Sequence, residues 1–247
     1  MAVYPGNGAG SIGITKYGRL GNGAGGALPL SRIMVGNGSD SIQVFPPKKV
    51  FRDNFDRSDQ VLGQLWNWWT IGTSPYFIWC VGNNARMYDD NTDGQRLSWT
   101  SWMDDTSTDK HYSKGKIAII GNSAQGTWVS CNGNQAGTDH VGFQWTGSTL
   151  QLFTRINDTT TARGTSATRA QAVGDWLEIR SVINPSTGIY TYNGYVNGSL
   201  LCSWTDSTSL AKKGAAYRRV GFGMQRNRSF FSSTLSSSFS EWEGGDL

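Results

Sequence analysis

Tyr190-Thr-Tyr-Asn-Gly-Tyr-Val-Asn-Gly-Ser-Leu-Leu-Cys-Ser-Trp204 reads as a β-hairpin: two strand-like runs, Tyr190–Val196 and Leu200–Trp204, flank Asn197-Gly198. Asn-Gly between apolar runs is the strongest short-range hairpin signal. The preceding segment, Asp175–Ile183, sets Leu177, Ile179 and Ile183 on one face against Trp176, Glu178 and Arg180 on the other, the period-two pattern of a half-buried strand. Outward from this pair, further strands are predicted at Tyr76–Val81, Lys116–Ile120, Thr127–Cys131, Val141–Trp145, Leu150–Ile156, Arg219–Met224 and Ser237–Trp242. With no capped helical periodicity between them, they predict an all-β, two-sheet sandwich. Composition agrees: of 247 residues 12% are aromatic and only 16% charged, against roughly 25% charged in an average soluble domain.

Residues 1–50 differ in kind. Gly-Asn-Gly recurs at a 15-residue spacing, as Gly6-Asn7-Gly8, Gly21-Asn22-Gly23 and Gly36-Asn37-Gly38. Gly and Asn tolerate φ > 0, so each triplet is predicted to turn the chain between short extended segments, Ser11–Thr15, Ala27–Ile33 and Ser41–Phe45. Such units bury little core of their own. They are expected to form an extended, lariat-like arm that becomes ordered on a partner protein, with a disordered linker as the alternative. Pro46-Pro47-Lys48-Lys49 closes the arm as a stiff hinge. Residues 1–52 hold six basic residues against the single acid Asp40, while the rest of the chain is near neutral. That density is sparse for nucleic acid, and no nucleic-acid partner is expected.

Cys80, Cys131 and Cys202 are odd in number and dispersed, so buried free thiols are expected rather than a disulfide framework. The N-terminal residues carry no signal-peptide pattern and no stretch approaches a membrane span, so assembly in a reducing cytoplasm is expected.

Phe51-Arg-Asp-Asn-Phe-Asp-Arg-Ser-Asp-Gln-Val-Leu-Gly-Gln-Leu-Trp66 resembles the opening of concanavalin A-like jelly-roll domains in minor tail proteins of actinobacterial phages. The matching residues are Asp53, Phe55, Arg57, Asp59, Leu62, Gly63 and Trp66. The likeness extends over 51–247. It makes Gly174–Ile179 a central strand, Tyr195–Gly198 a hairpin, Val220–Gly223 the penultimate strand, and Phe239–Trp242 the strand beside the N-terminal one. By alternation Trp66 and Trp68 share a face that Trp69 does not. The resemblance implies a fold more than an activity, since lectins, hydrolases and structural modules share it.

Glycosidase chemistry on this fold needs two carboxylates roughly 5–9.5 Å apart. The ExDxxE strand of jelly-roll glucanases is missing, and Asp175 and Glu178 fall on opposite strand faces, so no catalytic residues are assigned. His111 and His140 have no Cys or His at ligand spacing and are read as strand-edge residues. Asp89-Asp-Asn-Thr-Asp-Gly94 matches the first half of a calcium loop through Asp89, Asn91 and Asp93. Thr100 stands at the twelfth position and no helices flank the loop, so it is no EF-hand, and an acidic β-turn is the alternative. Trp99, Trp102 and Tyr112 bracket a polar loop with Asp104 and Asp105, an arrangement that would stack and hydrogen-bond a sugar. Against this, Trp128 and Trp145 show that the sandwich also fills its core with tryptophan.

The expected function is that of a virion structural protein, a minor tail or tail-tip component with residues 1–50 docked on the tail. The sandwich would face outward, toward a host cell-wall glycan. Tail symmetry implies a homo-oligomer, a trimer or a ring. A carbohydrate-binding lectin module and a head decoration protein are the alternatives.

Overall fold

The structure, a computed structural model, describes residues 19–21, 27–29, 33–37, 40–45, 47–71, 78–88 and 92–247. Up to residue 45, and at 69–71, only the backbone is described. The chain divides into two units, Met1–Lys48 and Lys49–Leu247.

Among its described residues the first unit holds two antiparallel strand pairs. β1 (Arg19–Gly21) pairs with β2 (Ala27–Pro29), and β3 (Ile33–Asn37) with β4 (Asp40–Phe45), all antiparallel. The Asn37↔Asp40 register leaves two residues between the partners. Gly21 and Asn37 end strands and Gly36 lies within β3 instead of in a turn, while Gly6, Asn7, Gly8, Asn22, Gly23 and Gly38 lie outside the described residues.

The second unit runs β5 (Val50–Asp53), β6 (Gln60–Val61), β7 (Trp66–Ile71), β8 (Ile78–Cys80), β9 (Ala85–Met87), β10 (Gly94–Trp102) and β11 (His111–Ile119). It continues with β12 (Gly126–Gly133), β13 (His140–Thr146), β14 (Thr149–Ile156), β15 (Thr159–Thr168), β16 (Trp176–Ile183) and β17 (Tyr190–Val196). β18 (Ser199–Thr205), β19 (Arg219–Ser229), β20 (Ser232–Leu235) and β21 (Ser238–Asp246) complete it. Two antiparallel sheets result. The eight-stranded sheet has the order β15-β14-β13-β12-β19-β10-β7 with β20 beside β19; the nine-stranded sheet has β18-β17-β16-β11-β21-β9-β8-β6 with β5 beside β21. This is the jelly-roll sandwich that the sequence predicted.

The deciding hairpin forms as read. Asn197 (φ 50°) and Gly198 (φ 77°) both take positive φ, which fits a primed turn that matches the strand twist. The Asn197 side chain accepts Trp176 N–H at 2.8 Å and donates to Asp175 Oδ1 at 2.7 Å, tying the turn to the start of β16. Asn157 (φ 48°) and Asp158 (φ 65°) repeat the device between β14 and β15.

Between the sheets lies one core. Phe222 of β19 meets Phe55, Trp66 and Phe239 edge-on at 5.0–5.9 Å, and Trp66 meets Trp242 at 4.7 Å. Trp145 and Trp102 are buried in the same cluster. The opening motif is a clasp on this core. Asp53 Oδ1 accepts Phe55 N–H and Arg57 Nη1, and its Oδ2 accepts Arg57 Nη2 and Trp66 Nε1, all at 2.7–2.9 Å. Arg57 Nη2 also reaches the Leu62 carbonyl, and Asp59 accepts Gly82 N–H. Phe55 is held at φ 53°, an uncommon conformation for a bulky residue, by its own fully buried ring and these bonds. β21 then pairs with β5, Trp242 opposite Asp53. Val220–Gly223 belongs to the third strand from the C-terminus, not the penultimate one, because β20 intervenes. Trp66 is buried while Trp68 is 41% exposed, because β7 forms the sheet's edge.

Candidate functional site

The residues expected to bracket a sugar are not brought together. Trp102 points into the core, stacked on Phe51 and Trp242. Trp99, three residues back on β10, faces the other side of the eight-stranded sheet and is fully buried. Tyr112 lies on β11 in the other sheet, donating to Glu243 Oε1 at 2.6 Å. Of the two loop acids, Asp104 is exposed and Asp105 is held by Arg219 at 3.2 Å. The loop after β10 crosses from one sheet to the other, so its flanking aromatics diverge. A sugar cannot stack on two rings that are both buried and lie on opposite faces of the sheet, and that site is withdrawn.

A different aromatic group sits on the outer face of the eight-stranded sheet, away from the core. Strand alternation sends Val129 and Cys131 of β12 inward and Trp128 outward; the same rule turns Phe143 and Trp145 of β13 inward and His140 outward. Trp128 and Trp145 are both buried as expected, Trp145 in the cluster between the sheets and Trp128 in a smaller cluster on the other side of the eight-stranded sheet. Trp99, Trp128 and Phe153 form a cluster with Leu97 beside it. Their rings lie flat because glycine stands opposite. A Cβ on Gly223, the register partner of Trp128, would sit 2.0 Å from the indole, and one on Gly142, the partner of Phe153, 2.2 Å from the phenyl ring. His140 stacks on Trp99 at 4.9 Å and 4°, with Phe153 edge-on at 5.7 Å.

Several polar atoms in this face are unsatisfied. Trp128 Nε1 and both ring nitrogens of His140 are buried without a hydrogen-bond partner, although Trp99 Nε1 donates to Ser130 Oγ at 2.6 Å. Unpaired buried polar groups are rare and call for an explanation. Burial, and secondarily the charge of Arg155, push the His140 pKa down to about 3, so the ring is neutral at physiological pH. Trp128 and His140 line a pocket of about 40 Å³ with Gln144, Phe153, Arg155, Thr160 and Gln225. That volume takes one small group, a hydroxyl or a methyl. Neutral donors, amide side chains and flat rings can bind an uncharged polar ligand by stacking and hydrogen bonding.

The outer face of the nine-stranded sheet is built oppositely. Glu243 accepts from Tyr112 and from Arg52 at 2.8 Å and pairs with Lys114 at 3.1 Å. Burial acts to raise its pKa, but these donors hold it below the usual carboxylate range. Lys114 lies 5.1 Å over the Trp176 ring, and Arg180, paired with Glu178, lies 4.5 Å over Tyr195.

The buried carboxylates Asp53, Asp139, Asp175, Glu178, Asp206 and Asp246 all accept hydrogen bonds from backbone or side-chain donors. Among the described residues no group of His, Cys, Asp and Glu could hold a metal ion. Of the calcium-loop residues, Asp89 and Asn91 lie outside the described ones; Asp93 is exposed, 4.0 Å from Arg228. The three thiols are free and buried, as expected. The histidines are not edge residues: His111 and His140 are at most 2% exposed. Burial lowers the His111 pKa, and its Nε2 lies 2.5 Å from the Thr108 carbonyl.

Against solved structures, a protein of unknown function from Shewanella oneidensis MR-1 matches at TM-score 0.51 and 13% identity, covering 80% of this chain and 86% of that one. That likeness supports the sandwich fold alone. A carbohydrate-binding module from Bacillus subtilis (TM-score 0.43, 8% identity, 76% and 96% covered) and peanut lectin (0.46, 9%, 80% and 97%) are more distant. No curated protein matches the sequence. Residues 45–247, the whole sandwich, match the family described as a domain of unknown function, DUF7257, and the chain belongs to that family.

Proposed function

We propose that the protein is a non-catalytic structural component of a phage virion, a minor tail or tail-tip protein of a phage infecting actinobacteria. One observation carries this reading: a separate unit of repeat-bearing hairpins precedes a sandwich whose opening residues resemble those of such tail proteins. Two-stranded sheets are marginal on their own, and their edges are ready to pair with another chain. The first unit is thus suited to docking on neighbouring tail proteins, leaving the sandwich to face outward. Particles purified from a producing culture should contain the chain by mass spectrometry, with antibody label at the tail. Presence in the lysate without presence in particles overturns the reading, and label on the capsid replaces it with head decoration.

A second reading has its own observation. The unpartnered Trp128 and His140 nitrogens in a pocket between flat rings favour glycan binding on the outer face of the eight-stranded sheet. Saturable binding on a glycan array, weakened about tenfold by Trp128→Phe or Gln144→Ala, is the expected result, given about 1–1.5 kcal/mol per hydrogen bond. Binding unchanged in both variants removes this site.

A further inference from the structure

The hairpin of β19 and β20 carries the two most exposed large apolar side chains among the described residues, Phe230 at 77% and Phe231 at 92%. They occupy the two-residue turn between Ser229 and Ser232. Neither residue takes the positive φ for which such turns recruit glycine or asparagine, so the turn tolerates two phenylalanines without requiring them. Their rings meet edge-on at 4.7 Å and 84° and project as one knob. At the base of the same hairpin lies a cleft of about 360 Å³, lined by Ile119, Ile120 and Leu235 with Arg86, Ser233 and Ser236 on its walls. Ile119 and Ile120 are each 49% exposed. Phe231 and Leu235 are four residues apart, about 13 Å along an extended strand. β20 ladders with β19 alone among the described residues; on its other side the Leu235 carbonyl accepts Asn122 N–H at 2.8 Å.

We propose that this hairpin is a self-association surface on which two copies pair about a twofold axis. Each copy seats Phe230 and Phe231 in the Ile119–Ile120–Leu235 cleft of the other. Three features select a second copy as the occupant. Knob and cleft sit at a fixed separation on one hairpin, so two hairpins laid antiparallel satisfy both contacts at once, the self-complementarity a closed twofold contact requires. The cleft supplies apolar walls for the rings and, in Arg86, a guanidinium for an aromatic face. The open edge of β20 lies between the two contacts. A lipid surface would engage the knob and leave the cleft unused. The pairing is twofold, in place of the threefold one expected from tail symmetry.

Sedimentation velocity on the full chain over a concentration series tests this. A monomer–dimer equilibrium is expected, with the dissociation constant raised at least tenfold by Phe230→Ser/Phe231→Ser and by Ile120→Glu. All three positions are solvent-exposed, so the fold should survive, as near-ultraviolet circular dichroism will verify. In a second arm, Phe231→Cys protein is mixed with Ile120→Cys protein and oxidised. The native thiols are buried, so a disulfide between the two variants reports tip against cleft. A monomer at all concentrations, a trimer, a dimer indifferent to the serine and glutamate changes, or no mixed disulfide overturns the proposal. So does binding of anionic phospholipid vesicles, lost with the serine changes, by a chain that stays monomeric.

Discussion

His140→Phe should convert an acid-sensitive sandwich into one that tolerates acid better. In the fold the ring is buried between Trp99 and Phe153, with neither nitrogen hydrogen-bonded, and its pKa falls from the ordinary 6.5 to about 3. Because the folded pKa is depressed, the unfolded chain binds the extra proton whenever the pH lies below about 6.5. Stability therefore falls as the pH drops from 6.5 toward 3, and this contribution is absent above 6.5. Linkage gives a loss of about 2 kcal/mol at pH 5 and about 3 kcal/mol at pH 4. For a domain of this size that is roughly 4–8 °C in Tm at pH 5.

Phenylalanine keeps a flat ring in the stack, removes the titration and replaces two unsatisfied nitrogens by carbon. At pH 7 the variant should be no less stable than the parent, since relief of unpaired polar burial is worth roughly 1–3 kcal/mol. The gap should widen as the pH falls. Urea unfolding at half-unit steps from pH 7.5 to 4.5 measures it, with the difference between the two curves isolating His140 from His111, whose pKa is also lowered. Parallel curves would refute the reasoning, because they would mean that the His140 ring titrates normally in the fold.

Three further outcomes are expected. Asp53→Asn weakens the pair with Arg57 and leaves either Arg57 or the buried Trp66 Nε1 poorly matched; a loss of about 3 kcal/mol in urea unfolding is expected, and a loss under 1 kcal/mol would show that the clasp is dispensable. Gly223→Ala sets a methyl 2.0 Å from the Trp128 indole and should cost about 1–3 kcal/mol, with a changed tryptophan near-ultraviolet signal because the ring must lift. Asn197→Gly retains the positive φ of the turn and loses only the side-chain bonds to Asp175 and Trp176, whereas Asn197→Ala adds left-handed strain of about 1 kcal/mol; equal thermal shifts for the two would place the cost in the side chain alone.

The sandwich was legible where one face is apolar and the other polar. β16 and β17 follow their predicted ranges within one residue because Leu177, Ile179, Tyr190 and Tyr192 alternate with polar or half-exposed neighbours. β10 was missed, and its tryptophans were read as flanking a loop, because both of its faces are buried from Ser98 to Trp102 and the alternation vanishes. β15 was missed for the opposite reason: Thr159–Thr168 is mostly exposed and holds almost no large apolar side chain. The outer-face pocket was illegible because its signal is relational. Trp128 looks like any core tryptophan until the register sets Gly223 opposite it and Val129 on the other face. The phenylalanine turn was legible in principle, since Phe230-Phe231 stands alone between the polar pairs Arg228-Ser229 and Ser232-Ser233.

The two outer faces also bear on where a ligand would bind. On the nine-stranded sheet, Glu243 is met by Tyr112, Arg52 and Lys114, and Glu178 by Arg180. A ligand arriving there would have to displace ion pairs already formed by two largely buried carboxylates, and leaving either one unpaired carries a penalty. On the eight-stranded sheet the balance is reversed. Trp128 and His140 hold buried donors and acceptors that bond to nothing in the chain, so a ligand hydroxyl reaching them would relieve an existing penalty without breaking another contact. The glycines opposite Trp128 and Phe153 keep those rings flat on the sheet, at the expense of strand propensity. Glycine beneath an aromatic ring is itself a packing device of sheets, so it is the unpaired nitrogens of Trp128 and His140 that make this sheet the one to test first for glycan binding.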